Sequence, residues 1–370
     1  MNSSVKSQTQ KASPEAALDV SPDSKQSSWL VFRYQRLSFR LDRRVPKVLL
    51  SLIVVTLVFM VWSVGQGEYP VPPLDVIRTI FGPPTSNADY GFIVNTLRLP
   101  RTLVAWGVGA ALALAGALTQ GITRNPLAAP DIIGINAGAA LAAVSLIVVF
   151  PSVSLSFLPV AAFGGALSVA LLVYAIAWQS GSSPVRLILV GIGFSLIAGA
   201  ITELMITFGN IYDVSQALVW LAGSVYGRSW AQLVSFGPWL VVFGLCSLLL
   251  SRDLNALQLG DDLARSLGRR LEWQRGWLLL CSVALSGAAV ATAGSIGFVG
   301  LMSPHIARQL VGPSNEGLLP VAALTGGMVV VVADLIGRLL FAPIELPCGI
   351  ITAVIGAPYF LYLLIRAGKP

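Results

Sequence analysis

Twenty-one consecutive residues without a charge, Thr102 to Ile122, constrain this chain more than any other stretch. As a helix rising about 1.5 Å per residue they cover roughly the 30 Å hydrocarbon core of a bilayer. Small residues recur through the run: Gly107, Gly109, Ala110, Ala111, Ala113, Ala115, Gly116 and Ala117. In lipid, large apolar side chains gain little by meeting one another, whereas small ones let backbones close up. The run therefore reads as an interior helix of a bundle. It is bracketed by Arg98-Leu99-Pro100-Arg101 and by Arg124-Asn125-Pro126-Leu127.

The rest of the chain repeats the pattern. Apolar runs fall at 48–66, 98–122, 131–150, 156–178, 186–208, 231–250, 276–296, 297–311, 317–341 and 346–365. That is ten candidate spans, or nine if the short, interrupted eighth is a re-entrant segment. Mean hydropathy is +0.78 and only 11% of residues are charged, against about 25% in soluble domains. The class is an all-α polytopic membrane protein. Its net charge of +7 lies beside the apolar runs, which fits a positive-inside bias and not a nucleic-acid groove.

Charge then orders the chain across the bilayer. Residues 1–44 are polar and end in Arg33, Arg36, Arg40, Arg43 and Arg44. They read as a disordered basic cytoplasmic tail ahead of a transmembrane domain at 45–370, because a secretory signal would put its apolar core far earlier. The loop bearing Arg252, Arg265, Arg269, Arg270 and Arg275, and the end bearing Arg366 and Lys369, belong on the same side. Six spans separate the first pair and four the second, and both counts are even. Arg98, Arg101 and Arg338 are then the exceptions, at outer ends of spans. Residues 67–97 and 210–227 form outer segments. The loop Ser251–Arg275 interleaves Leu254, Leu257, Leu259, Leu263, Leu267 and Leu271 with charge. It reads as two short amphipathic helices on the inner surface, at about 252–272.

Little in the chain suggests covalent chemistry. There is no G-x-x-x-x-G-K-[S/T] phosphate cradle, and the one histidine, His305, has no Cys, Asp or Glu at ligand spacing. Its plain role is to hydrogen-bond a helix end. Cys246, Cys281 and Cys348 lie in or beside apolar runs and read as small packed hydrophobes. No nucleophile and base can be assembled, so no enzyme activity, metal or cofactor is expected. Glu203, Asp334 and Glu345 all map near outer span ends, whereas an ion-driven carrier needs acids near the midplane. The energy source is therefore a partner. Ala115-Gly116 followed by Pro126, and Ala293-Gly294 followed by Pro304, form a thin internal echo. On spans of opposite direction this would mark an inverted repeat.

Several ordered motifs carry a resemblance. They are Arg98-Leu99-Pro100-Arg101, Gly116 with Gln120, Arg124-Asn125-Pro126-Leu127-Ala128, and Gly134 with Gly138-Ala139. Next come Leu259-Gly260-Asp261-Asp262, Ala264-Arg265 and Leu267-Gly268, then Gly297-Phe298-Val299-Gly300-Leu301 with Pro304-His305-Ile306-Ala307-Arg308. Ala333-Asp334, Arg338, Glu345-Leu346-Pro347 and Gly349 complete the set. Over about residues 48–368 the chain resembles the permease subunits of ABC importers for iron-siderophores, haem and cobalamin, the FecCD-type family. Pro130-Asp131-Ile132-Ile133-Gly134 and Val190-Gly191-Ile192-Gly193 look most like ferric-siderophore members. Haem and cobalamin stay as alternatives within the family, and an ion-coupled secondary transporter as the alternative outside it.

The resemblance implies a type II importer permease fold in the cytoplasmic membrane of a bacterium, with both termini cytoplasmic. It implies two ATP-binding subunits below, a second permease copy or a related permease alongside, and an extracytoplasmic siderophore-binding protein above. By that likeness Leu259, Gly260, Asp261, Asp262, Ala264, Arg265 and Gly268 couple to the ATPase; a merely solvated face is the plainer reading of Asp261 and Asp262. Arg98, Arg101 and Arg338 would receive glutamates of the binding protein; lipid head-group anchoring is the alternative. Asn210 and Ile211 align with the gate, where relatives carry small hydroxyl residues. Arg124, Asn125 and Pro126 form the motif at the inner end of the second span.

Overall fold

The computed structural model describes residues 29–34, 37–82, 87–178, 183–266 and 271–367. Two strands, β1 (Trp29–Tyr34) and β2 (Leu37–Asp42), pair antiparallel ahead of the bundle. This stretch lies in the tail that the sequence suggests is disordered. Leu37-Ser38-Phe39-Arg40-Leu41-Asp42 alternates apolar and polar residues at the strand period, a signal masked by its arginines. Residues 1–28 of that tail lie outside the described residues.

Helices follow in chain order. α1 (Arg44–Gly65) leads to two short helices, α2 (Pro73–Phe81) and α3 (Ala88–Phe92), and a π-helical turn at Ile93–Arg98 runs into α4 (Leu99–Thr123). Then come α5 (Ile135–Val144), prolonged by a π turn to Val149, α6 (Leu158–Ala177), α7 (Pro184–Phe208), α8 (Ile211–Leu221) and α9 (Trp230–Leu249). The loop supplies α10 (Ser251–Gln258) and α11 (Asp261–Ser266), and α12 (Leu271–Ala293), α13 (Val299–Val311), α14 (Asn315–Leu339) and α15 (Cys348–Ala367) finish the chain. Prolines open α4, α6 and α7 within the first turn, where no backbone donor is lost. Ser229 and Gln232 form a capping box on α9.

Among the described residues, eight helices are long and apolar enough to cross a membrane. The other two candidate spans are short: Ile135–Val149 and the 13-residue α13. At about 1.5 Å per residue neither helix alone covers a 30 Å core. With its flanking turns each nevertheless carries the chain from one end of the bundle to the other, α5 between the end of α4 and the start of α6, α13 between the end of α12 and the start of α14. The interrupted eighth run is therefore a short helix, and the third shares that character. Two long helices are almost wholly inside the bundle. In α4, 89% of the spanning window is buried and in α12, 83%, while α1, α6, α7, α9 and α15 each bury 33% or less. Both interior helices are followed by a short one, α4 by α5 and α12 by α13. The Ala-Gly dipeptides of the two stretches are not equivalent. Gly116 sits inside α4, whereas Gly294 turns the chain after α12 with φ of 74°.

The small residues of α4 do what lipid requires of them. A Cβ on Gly109 would strike the backbone of Gly326 on α14, and one on Gly116 would strike Gly300 on α13. Three helices thus approach backbone to backbone at the bundle axis. Cys281 and Cys348 are buried and Cys246 half-buried, all unpaired. The bundle has two polar ends. The C-terminus of α4, α10 and α11, and the starts of α12 and α14 share one; the N-terminus of α4 and the C-termini of α1 and α14 share the other.

Candidate functional site

At the second of these ends, three arginines expected from the sequence meet. Arg101, on the first turn of α4, donates to Asp334 of α14 from Nε at 3.2 Å and from a terminal nitrogen at 2.8 Å. Its other terminal nitrogen pairs with Glu345 at 2.9 Å, and its guanidinium lies 5.5 Å from the Tyr226 ring centre. Arg338 lies one turn along α14 from Asp334 and pairs with that carboxylate at 3.2 Å. It also donates to the Ser63 hydroxyl at 2.6 Å and to the Ser63 carbonyl at 3.0 Å. Arg98 donates only to carbonyls, of Val64, Gly65 and Tyr69. Asp334 is 3% exposed and Arg338 8%. A buried charge survives only with a partner, and here one carboxylate serves two arginines. Two of the three acids singled out in the sequence, Asp334 and Glu345, are therefore counter-ions. The third, Glu203, lies exposed on α7.

One cation at this end was missed by the sequence reading. Arg228, in the turn between α8 and α9, has no ion pair with a described residue, and its buried Nε lacks a hydrogen-bond partner. Burial holds its pKa below the ordinary arginine value. Asn210 caps α8 by accepting from the Tyr212 N–H at 3.0 Å, and Ile211 is exposed beside it.

The elbow end is built differently. Asp261, at the start of α11, pairs with Arg124 and, at 3.1 Å, with Arg275 of α12, which is 1% exposed. Arg124 ends α4 in a left-handed conformation, φ 52°, and Asn125 accepts from the Leu127 N–H at 2.9 Å to turn the chain through Pro126. Asp261 therefore staples the loop to two interior helices, and its carboxylate is engaged within the chain. Ala264 is fully buried and also faces inward. Leu259 and Leu263 are 60% and 57% exposed, with Asp262 and Arg265 exposed next to them. Leu263 belongs to the amphipathic pattern of the loop but not to the coupling motif; its exposure beside buried Ala264 is what marks it. Gly260 takes φ 108° between α10 and α11, and Gly268 lies outside the described residues.

α10 carries the remaining bracing. Leu254 fills a notch at Gly121 of α4, where an added Cβ would come within 2.5 Å of it. Asn255 accepts from the Asn315 side chain at 2.7 Å and its backbone N–H at 3.0 Å, and donates to Glu316 at 2.7 Å. Asn315 is 1% exposed and also donates to Gln258 at 3.3 Å. The elbow is thus hydrogen-bonded to the start of α14, whose far end bears Asp334 and Arg338. Gln120 and Arg308 join α4 to α13 nearby, at 3.2 Å.

A family model described as the FecCD transport family matches residues 52–366. This chain belongs to the FecCD transport family. It is 47% identical over 332 residues to "Probable siderophore transport system permease protein YfhA" of Bacillus subtilis (strain 168), covering 88% of this chain and 96% of that one. It is 45% identical over 339 residues to the achromobactin transport system permease protein CbrC of Dickeya dadantii (strain 3937), covering 91% and 96%. Among solved structures, one titled as an inward-facing conformation of a metal-chelate type ABC transporter superposes with a TM-score of 0.79 at 33% identity. It covers 87% of this chain and 99% of the other. The FecCD match takes in both polar ends and leaves out the β1–β2 hairpin.

Proposed function

We propose that this FecCD-family protein is the permease subunit of a bacterial ABC importer, carrying an iron-siderophore complex inward across the cytoplasmic membrane. Separate ATPase subunits supply the energy. One observation carries the reading. The chain presents exposed Leu259 and Leu263, rimmed by Asp262 and Arg265, on an elbow braced to α4, α12 and α14. An apolar centre inside a charged rim is how a protein partner docks, and bracing to three helices lets a push there reach the bundle. The relatives' names, and the metal-chelate transporter of similar fold, favour an iron chelate as cargo.

In this reading the elbow faces the cytoplasm, with both termini, and two ATPases dock beneath a pair of permeases. Closure of the ATPases on ATP moves α10 and α11. Leu254 against α4 and Asn255 against α14 pass that displacement to the helices that meet at Arg101 and Asp334. Transport is alternating access between two packings of the bundle and breaks no covalent bond. On the outer face an extracytoplasmic binding protein docks on Arg98, Arg101, Arg338 and Arg228. Arg101 and Arg338 already hold carboxylates, so Arg98 and Arg228 are the cations left to receive acidic groups of that partner. Asn210 and Ile211 stand where the path would be gated.

Uptake decides the cargo. A strain lacking this chain, complemented with it, is given labelled ferric siderophores, haem or cobalamin. Restored uptake of a ferric siderophore supports the proposal; restored cobalamin or haem uptake alone moves the cargo within the family. Uptake by the chain with no ATPase present refutes the importer reading.

A further inference from the structure

A crevice of about 760 Å³ opens between α6, α11 and α12 at the elbow end of the bundle. Its mouth is lined by Tyr174, Trp178, Trp273, Trp277, Arg265 and Glu272. The aromatic rings stand in two edge-to-face pairs, Tyr174 with Trp178 at 5.4 Å and Trp273 with Trp277 at 5.8 Å. A narrower cavity of about 180 Å³ continues from it between α6, α7 and α12. Leu167, Leu171, Leu187, Leu279 and Val283 line that part, and Tyr174, Gly276 and Leu280 belong to both. Gly276 keeps the passage open, since the nearest atom to an added Cβ would be the Tyr174 hydroxyl at 3.6 Å. From Leu271 to Val283 the groove follows α12 for about 18 Å, close to half the thickness of a bilayer.

We infer that this crevice is a binding site for one anionic glycerophospholipid of the leaflet on the elbow side. Its form is amphipathic in the lipid's own order: a cation and indole rings at the rim, then only hydrocarbon towards the middle of the membrane. Tryptophan and tyrosine at that depth match the head-group region. Arg265 makes no ion pair with a described residue and supplies the charge complementary to a phosphate. Glu272, the one acid among the described residues of the rim, is paired with Arg275 at 3.9 Å. The groove admits an acyl chain where Gly276 leaves α12 bare. Because Arg265 lies on α11, the lipid would bridge the transmembrane wall and the elbow, so lipid composition would bear on coupling. Binding itself does not depend on the transport reading.

The test uses the full chain purified in detergent and titrated with dioleoyl phosphatidylglycerol or dioleoyl phosphatidylcholine, with retained lipid counted by native mass spectrometry. One phosphatidylglycerol is retained with about fivefold preference, the size set by a single arginine at a charged bilayer surface. Arg265→Gln reduces the preference to parity while still retaining lipid. Gly276→Leu blocks the groove and loses both lipids, and Leu280→Trp, which fills it from an exposed position, does the same if the glycine variant fails to fold. Equal retention of the two lipids by the unaltered protein, or a preference that persists in Arg265→Gln, overturns the inference. Absence of any retained lipid also overturns it.

Discussion

At the arginine end, Arg101, Asp334 and Arg338 are buried charges held together by other charges; at the elbow end α11 is held in the same way, by Asp261 on Arg124 and the buried Arg275, whereas α10 meets the start of α14 largely through the amides of Asn255, Asn315 and Gln258. The first arrangement is hard to open, because separating the pair would leave bare charge in a dry place. Neutral hydrogen bonds are exchanged for water at small net cost. The junction of α1, α4 and α14 is therefore the clamped one, and the α10–α14 contact the more exchangeable one. In an importer driven from the elbow, α11 would carry motion to α4 and α12 through Asp261, while the α10–α14 contact could re-form as the bundle turns about the rigid end.

Substitutions break this contrast in order of size. Asp334→Asn leaves two arginines without their shared carboxylate and should destabilise the protein by about 3–5 kcal/mol. Denaturant unfolding in detergent measures it, and a loss below about 1 kcal/mol would show that the clamp is not the rigid end. Asn315→Ala strips donors from Asn255 and Gln258 and should cost about 1–3 kcal/mol. Beyond that loss, import per ATP hydrolysed should fall as α10 detaches from α14; unchanged stoichiometry would remove α10 from the transmission route. Leu259→Ser together with Leu263→Ser should shift stability by no more than about 0.5 kcal/mol, as both residues are exposed. The same pair should abolish co-purification of the ATPase, and intact co-purification would place the docking surface elsewhere. Arg228→Ala removes a half-buried cation that has no counter-charge among the described residues, so stability should hold within about 0.5 kcal/mol. Docking of the binding protein should weaken and lose part of its salt dependence; an unaltered salt profile would free Arg228 from that role.

What was legible in the sequence follows from these two ends. Positive residues beside apolar runs separated Arg98, Arg101 and Arg338 from the elbow arginines, and the structure does put the two sets at opposite ends. Their partners were not legible. Arg101 and Asp334 lie 233 residues apart, and no local pattern announces such a pair. Asp261 illustrates the same gap: it reads as a surface acid for a partner, yet it is held by Arg124 and the buried Arg275. Ala264, a coupling position by the resemblance, is fully buried and packs inside the chain. Leu263, read only as one leucine of an amphipathic loop, and Arg228, passed over in the sequence, are marked by exposure and by the lack of a counter-charge among the described residues.

The sequence by itself determined that this chain lives in a membrane, how its apolar runs are spaced, and which helix lies at the axis. Hydrocarbon thickness and the exclusion of charge act on every residue of a run independently of its neighbours in space, so one dimension is enough to read them. Only the tertiary structure decided which arginine meets which acid, which leucine of the elbow is left bare, and where a groove opens beside Gly276. Each of those depends on atoms brought together from distant parts of the chain, and their energies exist only once the helices have packed.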